Sequence, residues 1–212
     1  MPITLNPGSG GEVLETVNRV GTDERTVWEH GSVPTFFALG PANNVVTGDT
    51  FHFVLYNNSS TAIVQIRKIV WVPVSPTSNV PGAVAPMTQR IRVSPTTAPS
   101  GGSVTIHSVD SADSLPSDIT AHSVPTTAPA GGTTKDFLPW VAHPDRVEIS
   151  SKTATTVQAS FEFGGMAIYE SNQLGLNVKP LTLRQNQCYE LQQSTAPTVS
   201  TTFRVLCICT II

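Results

Sequence analysis

Apolar and polar residues alternate with a period of two along most of this chain, and helical periodicity is nearly absent, a pattern that predicts β-strands. Residues 49–57 form the first strong strand, with Phe51, Phe53 and Leu55 on one face and His52 and Tyr56 on the other. A turn follows over 57–61, then a second strand over 62–74. In that strand the apolar parity changes: Val64 and Ile66 lie on one face, Ile69 and Trp71 on the opposite one. A β-bulge or a crossing between sheets at Arg67-Lys68 accounts for such a change. Weaker opening strands are predicted over 12–20, 26–30 and 33–39.

Pro73, Pro76, Pro81 and Pro86 interrupt the pattern. It resumes over 87–93, with Ile91 and Val93 inward and Arg90 and Arg92 outward, and again over 103–109. Bulky apolar residues are sparse from 110 to 135. Further strands are predicted over 146–150, 156–163, 166–170, 180–184, 187–192 and 201–211. Lys179-Pro180-Leu181-Thr182-Leu183-Arg184-Gln185-Asn186-Gln187 reads as a short strand and polar turn before alternation that reaches the last residue, so the terminal strand is expected in the core. Many short strands separated by Gly, Pro and Asn turns predict an all-β fold, an antiparallel β-sandwich of jelly-roll-like type with long Pro/Thr/Gly-rich loops. The expected organisation is an N-terminal arm, 1–11, and one sandwich domain, 12–212, with a loop-rich insertion around 73–140.

With 212 residues the chain is long enough to bury a sizeable core. Charged residues are only 13% of it, about half the usual ~25%, and Ser, Thr, Asn, Gln and Gly fill the gap. Such a surface suits contact with other subunits; an uncharged but exposed surface is the alternative. A net charge of −3 without a basic stripe argues against nucleic-acid binding. No apolar run reaches the ~18 residues of a membrane span, and Met1-Pro2-Ile3-Thr4-Leu5 has neither the basic nor the apolar region of a signal peptide. The two overlapping glycosylation sequons in Asn57-Asn58-Ser59-Ser60 are read as a hairpin turn.

One segment occurs twice. Pro95-Thr96-Thr97-Ala98-Pro99-Ser100-Gly101-Gly102 returns thirty residues later as Pro125-Thr126-Thr127-Ala128-Pro129-Ala130-Gly131-Gly132. Two copies do not make a solenoid. They read as two similar loops on one edge of a sandwich, each a Pro-stiffened arm ending in a flexible Gly-Gly turn, or as convergent low-complexity sequence. Pro95, Thr96, Thr97, Gly101, Gly102, Pro125, Thr126, Thr127, Gly131 and Gly132 are the candidate subunit contacts.

Residues capable of chemistry do not assemble into a reaction centre. His30, His52, His107, His122 and His143 lack the spacing of a metal motif. His52 reads as a packed or rim residue. His143-Pro144-Asp145 juxtaposes imidazole and carboxylate without a nucleophile, and Gly8-Ser9-Gly10-Gly11 precedes no helix that would make it a phosphate loop. Asp110, Asp113 and Asp118 are too irregularly spaced for calcium and fit turn capping. Cys207 and Cys209, two apart on a strand, point to one face; with Cys188 they read as buried free thiols. No catalytic residue, cofactor or metal is assigned. Trp28, Trp71 and Trp140 leave a sugar-stacking platform as an alternative, although Trp71 sits in an apolar strand.

Several passages together resemble a family of uncharacterised virion structural proteins of tailed phages. They are Phe51-His52-Phe53-Val54-Leu55-Tyr56-Asn57-Asn58-Ser59-Ser60 running on into Val64-Gln65-Ile66-Arg67-Lys68-Ile69; Arg90-Ile91-Arg92 with Ser100-Gly101-Gly102-Ser103-Val104-Thr105, His107-Ser108-Val109-Asp110 and Leu115-Pro116; and Lys179-Pro180-Leu181-Thr182-Leu183-Arg184 with the terminal strand. The likeness rests on their order from about residue 50 onward. Cys207-Ile208-Cys209 departs from the Val or Phe expected there. The resemblance implies a non-enzymatic capsid decoration (cement) protein in the virion, assembled in the host cytoplasm. Its partners would be the major capsid protein or other virion proteins, and it would itself form a homo-oligomer, with no nucleic acid or membrane as partner. A neck, tail or fibre subunit, or a carbohydrate-binding module, are the alternatives.

Overall fold

The computed structural model describes residues 6–7, 13–18, 24–27, 33–44, 48, 50–76, 85–142, 166–171, 179–196 and 201–212. The chain divides into two compact units, Met1–Pro34 and Thr35–Ile212. In the first, β1 (Asn6–Pro7), β2 (Val13–Asn18) and β3 (Glu24–Val27) form an antiparallel three-stranded sheet in the order β1-β2-β3. The strands expected over 12–20 and 26–30 therefore pair with each other in a sheet of their own, and the boundary falls at Pro34 rather than at residue 11. The strands expected over 146–150 and 156–163 lie outside the described residues.

The second unit is an antiparallel β-sandwich. Its strands are β4 (Thr35–Leu39), β5 (Asn43–Asn44), β6 (Thr50–Asn57), β7 (Val64–Pro76), β8 (Ala85–Val93), β9 (Ser103–Val104), β10 (Ile106–Ser108), β11 (Ile119–His122), β12 (Thr133–Ala142), β13 (Met166–Glu170), β14 (Leu181–Leu183), β15 (Gln187–Gln193) and β16 (Thr201–Ile211). One sheet has the order β10-β4-β16-β7-β13, with β14 also on β7 and β5 on β16; the other has the order β12-β8-β15-β6-β11-β9. The pairing is nested. Early strands β4, β6, β7 and β8 pair with late strands β16, β15, β13/β14 and β12 respectively. Folding this long ribbon over itself then sets β16 beside β7 and β15 beside β8. That wrapping is a jelly roll, which leaves few exposed edges.

The alternation read from the sequence sorts residues between the faces. Phe36, Ile66, Ile69, Trp71, Leu183, Phe203 and Val205 of one sheet meet Phe53, Leu55, Met87, Tyr189 and Leu191 of the other, all nearly or fully buried. Fully burying a side chain of this size contributes roughly 1.5–3 kcal/mol. A buried polar chain also ties the sheets together. The Tyr189 hydroxyl donates to Gln89 Oε1 at 2.9 Å, and Gln89 Nε2 donates to the Ile168 carbonyl at 3.1 Å. The expected parity change in β7 is a bulge. Ile208 and Cys209 of β16 face Lys68 and Ile66, so Arg67 is the extra residue; its guanidinium donates to Thr210 Oγ1 and Gln65 Oε1. The turn after β6 is held by Asn57, whose buried amide donates to the Ala62 and Leu183 carbonyls, both at 3.0 Å. That use of the amide removes Asn57 as a glycan acceptor.

A second bulge corrects the reading of His52. Leu191 and Gln192 of β15 face Phe53 and Phe51, which makes His52 the extra residue. The ring turns inward against Phe203, centroids 4.6 Å apart, instead of lying on the face opposite Phe53. Burial pulls its pKa from 6.5 down to about 4, against the opposing hydrogen bond with Gln193 Oε1 at 3.1 Å. Between those values the unfolded chain holds a proton that the folded chain refuses, so stability is full above pH 6.5 and falls as pH drops toward 4. The expected loss approaches about 3 kcal/mol. Urea midpoints at pH 7 and pH 4.5, compared between the parent and His52→Gln, measure it, and the variant should lose most of the pH dependence. An equal acid shift in both proteins would remove His52 as its source.

Candidate functional site: two paired arms across the six-stranded sheet

Between β8 and β12 the jelly roll carries an insertion that contains both copies of the repeated segment. The first arm, residues 94–102, leaves β8 for β9; the second, 124–132, leaves β11 for β12. In the order β12-β8-β15-β6-β11-β9 all neighbours are antiparallel, so β8 and β11 run in opposite directions. Each arm must therefore travel from one end of the sheet to the other. They do so side by side across the face turned away from the core, not as two loops on one edge. They pair as antiparallel segments: Thr97 with Ala130, and Ser100 with Thr127. The amides of Ser100 and Thr127 donate to each other's carbonyls at 3.0 Å, and those of Thr97 and Ala130 do the same at 3.2 Å.

The repeat makes this arrangement two-fold symmetric. Shifting Thr97 by thirty residues gives Thr127, and shifting Ser100 gives Ala130, so each bridge is the image of the other. Strand order reads alike from both edges, and the axis passes through the Tyr189–Leu55 pair at its centre. The Cys188–Arg92 pair then maps onto the Val54–His122 pair. Backbone conformation follows suit: Ser94 (φ 52°) and Val124 (φ 47°), Gly101 (φ 73°) and Gly131 (φ 69°), and Gly102 (φ 57°) and Gly132 (φ 68°) are all left-handed. A Cβ on Gly102 would strike the Ser123 carbonyl and one on Gly132 the Val93 carbonyl. Glycine is required at these two positions both for the positive φ and for the close backbone approach.

Polar groups beneath the arms hold them down. On the outward face of the central strands, Val54, Cys188 and Glu190 are fully buried although the core lies on the other side. Arg92 makes a two-pronged pair with Glu190, Nε to Oε1 and Nη2 to Oε2, while its Nη1 donates to the Gly131 carbonyl at 2.8 Å. The symmetry mate of Arg92 is His122, and its Nδ1 lies 2.8 Å from the Gly101 carbonyl. Each arm is thus anchored by the residue two positions before the other arm begins. Burial, then the neighbouring Glu190 carboxylate, pushes the Cys188 thiol up; its Sγ donates to Glu190 Oε1 at 3.3 Å.

Above, the arms present small uncharged side chains. Residues 93–109 and 119–134 contain no Asp, Glu, Lys or Arg. Of the candidate contact residues, Thr96, Gly101, Gly102, Thr126, Thr127, Gly131 and Gly132 are exposed, Thr97 and Pro125 are half-buried, and Pro95 is buried. Pro99 and Pro129 are buried as well. Pro95, Pro99 and Pro129 therefore pack downward as the arms' footing, and outward contact is left to the Thr, Ser, Ala and Gly positions and to the exposed Val124. The sequence did not single out Ser100 and Ala130, which are exposed at symmetric places, nor Arg92, Glu190 and His122; the charge sparing of the arms and the spacing of Arg92 and His122 thirty residues apart were the available signals.

The remaining candidates do not join this site. Trp71 is buried in the core and packs on Phe203 at 5.5 Å between centroids, so it belongs to no surface platform. Trp28, His30, His143 and Gly8 to Gly11 lie outside the described residues, as does the side chain of Trp140. Asp110 caps a turn, its Oδ1 accepting from the Ala112 amide at 2.9 Å. All three cysteines are buried free thiols; the hydrogen bond with Cys209, then burial, holds the Cys207 thiol well above its ordinary range. Among the described residues no group of three His, Cys, Asp or Glu is placed to hold a metal. Comparison with protein-family models, curated proteins and solved structures found no match to this chain.

Two stability experiments test the site. Glu190→Gln should cost about 3–5 kcal/mol by stranding a buried guanidinium, whereas Arg92→Met with Glu190→Met should recover most of it; urea unfolding of the three proteins measures both. Gly102→Ala and Gly132→Ala should each cost more than about 1 kcal/mol and by similar amounts, because both add a Cβ at positive φ against a carbonyl. A large difference between them in thermal melts would contradict the symmetry of the arms.

Proposed function

We propose that this chain is a non-enzymatic structural component of a tailed-phage particle, seated on the shell as a decoration protein that adds buried surface between neighbouring subunits. The observation that carries the reading is the pair of arms: a charge-free surface braced from below by part-buried hydrogen bonds. A charge-free surface can be desolvated against a neighbour without stranding ions, and bracing spares much of the ordering entropy that binding otherwise costs. The jelly roll is an architecture that viral shells use, among other roles, so the fold is compatible with this function without specifying it. The partner would be the major capsid protein or another virion protein, contacted through Thr96, Ser100, Thr126, Ala130 and the exposed glycines. A standard interface of ~1,600 Å², repeated over a lattice, multiplies weak contacts into firm attachment.

The test is co-sedimentation of the purified protein with particles prepared from a phage that lacks this gene, with light scattering of the free protein alongside. Saturable binding at a fixed number of copies per particle is expected. A protein that stays in the supernatant at all concentrations would end the proposal.

A further inference from the structure

The two-fold symmetry of the arms has a consequence for what can sit on them. We infer that the arms dock across a two-fold axis of the partner, one copy of this chain meeting two identical partner segments; the inference rests on the particle-bound reading above. Three observations lead there. Thr96 with Thr126, Ser100 with Ala130, Gly101 with Gly131 and Gly102 with Gly132 are exposed in both copies, while at 97/127 and 98/128 only Thr127 and Ala98 are exposed. Backbone signs match at every left-handed position of the arms, so the backbone turns are duplicated along with the side chains. The underside repeats too: Arg92 holds the Gly131 carbonyl and His122 the Gly101 carbonyl.

A surface of this kind offers the same contact twice, turned by half a revolution. Against a single asymmetric segment only one half is used. Against two copies of a segment about a two-fold axis, both halves engage at once with the axes coincident, and two-fold axes are the commonest symmetry element of protein assemblies. A second copy laid face to face, its own two arms about the same line, is the competing occupant, and self-association of the free protein would reveal it. Strand addition at the sheet edges is not the route to either. Exposed Lys135 and Asp136 on β12, with a bulge at Leu138, oppose strand addition at one end of this sheet, and β9 at the other end is two residues long. The partner segment is uncharged and approaches closely, because Ala, Ser and Gly leave its backbone room.

Ser100→Glu and Ala130→Glu place the same charge at symmetric, exposed positions and test the inference on the full chain, with particles lacking the protein as the probe. If the two halves bind as one bivalent contact, each single substitution should weaken binding by about 100-fold. The two losses should agree within about two-fold, and the double variant should not bind. Density for the bound parent protein should lie with the arms over a two-fold axis of the shell. If either variant melts below the parent, Thr96→Glu and Thr126→Glu, both exposed, replace the pair. Unequal losses, density with the arms facing solvent, or density away from a two-fold axis would overturn the inference and leave particle binding intact. Self-association of the free protein that both substitutions abolish would overturn it in favour of a second copy. Failure of the parent protein to bind particles would overturn the particle-bound reading itself.

Discussion

Everything in the sandwich depends on where the strand Thr201–Ile211 inserts. Among the described residues it alone joins β4 to the long strand β7, and it supplies Phe203, Val205, Cys207, Cys209 and Ile211 to the core at every second position. Without it β4 keeps only the three-residue β10, and half of the inter-sheet layer has no wall. The same nesting holds one step further in, where β15 joins β6 to β8. These pairings join residues from 94 positions apart (Val93 with Gln187) to 175 apart (Thr35 with Thr210), so the chain must meet a large entropic cost before its most rewarding contacts form. Bulges at Arg67 and His52 are the local adjustments that let one register serve both neighbours.

Once the two sheets are closed, the outward face of the six-stranded one still carries Arg92, Glu190, Cys188 and Val54 near its middle. The arms solve both halves of that problem. They cover Val54, and they supply a carbonyl to Arg92 Nη1, which the pair with Glu190 leaves unused. A buried pair of this sort adds little net stability compared with an apolar replacement, but it is intolerant of misplacement. It therefore serves to fix where the arms lie more than how strongly they are held. A face that has to present a defined surface needs that kind of fixing.

Much of the fold was legible because alternation survives wherever one face of a strand is buried. Thr201–Ile211, Gln187–Gln193, Met166–Glu170 and Leu181–Leu183 stand close to where the pattern puts them, and the parity change at Arg67-Lys68 announced its bulge. His52 is packed, as expected, but on the other face, because its bulge leaves no mark: Phe51, His52, Phe53 looks like ordinary alternation, and only the partner strand's register shows the extra residue. Strand β11 was missed because Ile119 and Ala121 are its only core residues and lie in a stretch poor in bulky apolars. The separate opening sheet was missed because periodicity reports that a strand exists and says nothing of its partner. The repeated arms were visible as sequence, but their pairing with each other was not: two Pro-Thr-Thr-Ala-Pro segments fit one edge as readily as one face until strand directions are known.

How this sandwich meets a neighbour is constrained by its edges. A sheet edge is the easiest place for two β-proteins to join, and it is also the route to uncontrolled aggregation. Among the described residues every edge is blunted. Charge, Pro139 and a bulge interrupt β12; β9 and β10 have two and three residues; and β13 is bulged at Ile168. Contact is thereby shifted from backbone ladders to surfaces, where side-chain shape and spacing decide what fits. A surface of small uncharged residues on loose loops would be a poor choice for that role, since ordering it on contact would consume the gain. Here Pro95, Pro99 and Pro129 are buried, the glycines sit in left-handed turns, and the Gly131 and Gly101 carbonyls are tied to Arg92 and His122. The same features that look like flexible, low-complexity loops in the sequence thus build a stiff surface, and stiffness is what lets many individually weak contacts on a lattice add up.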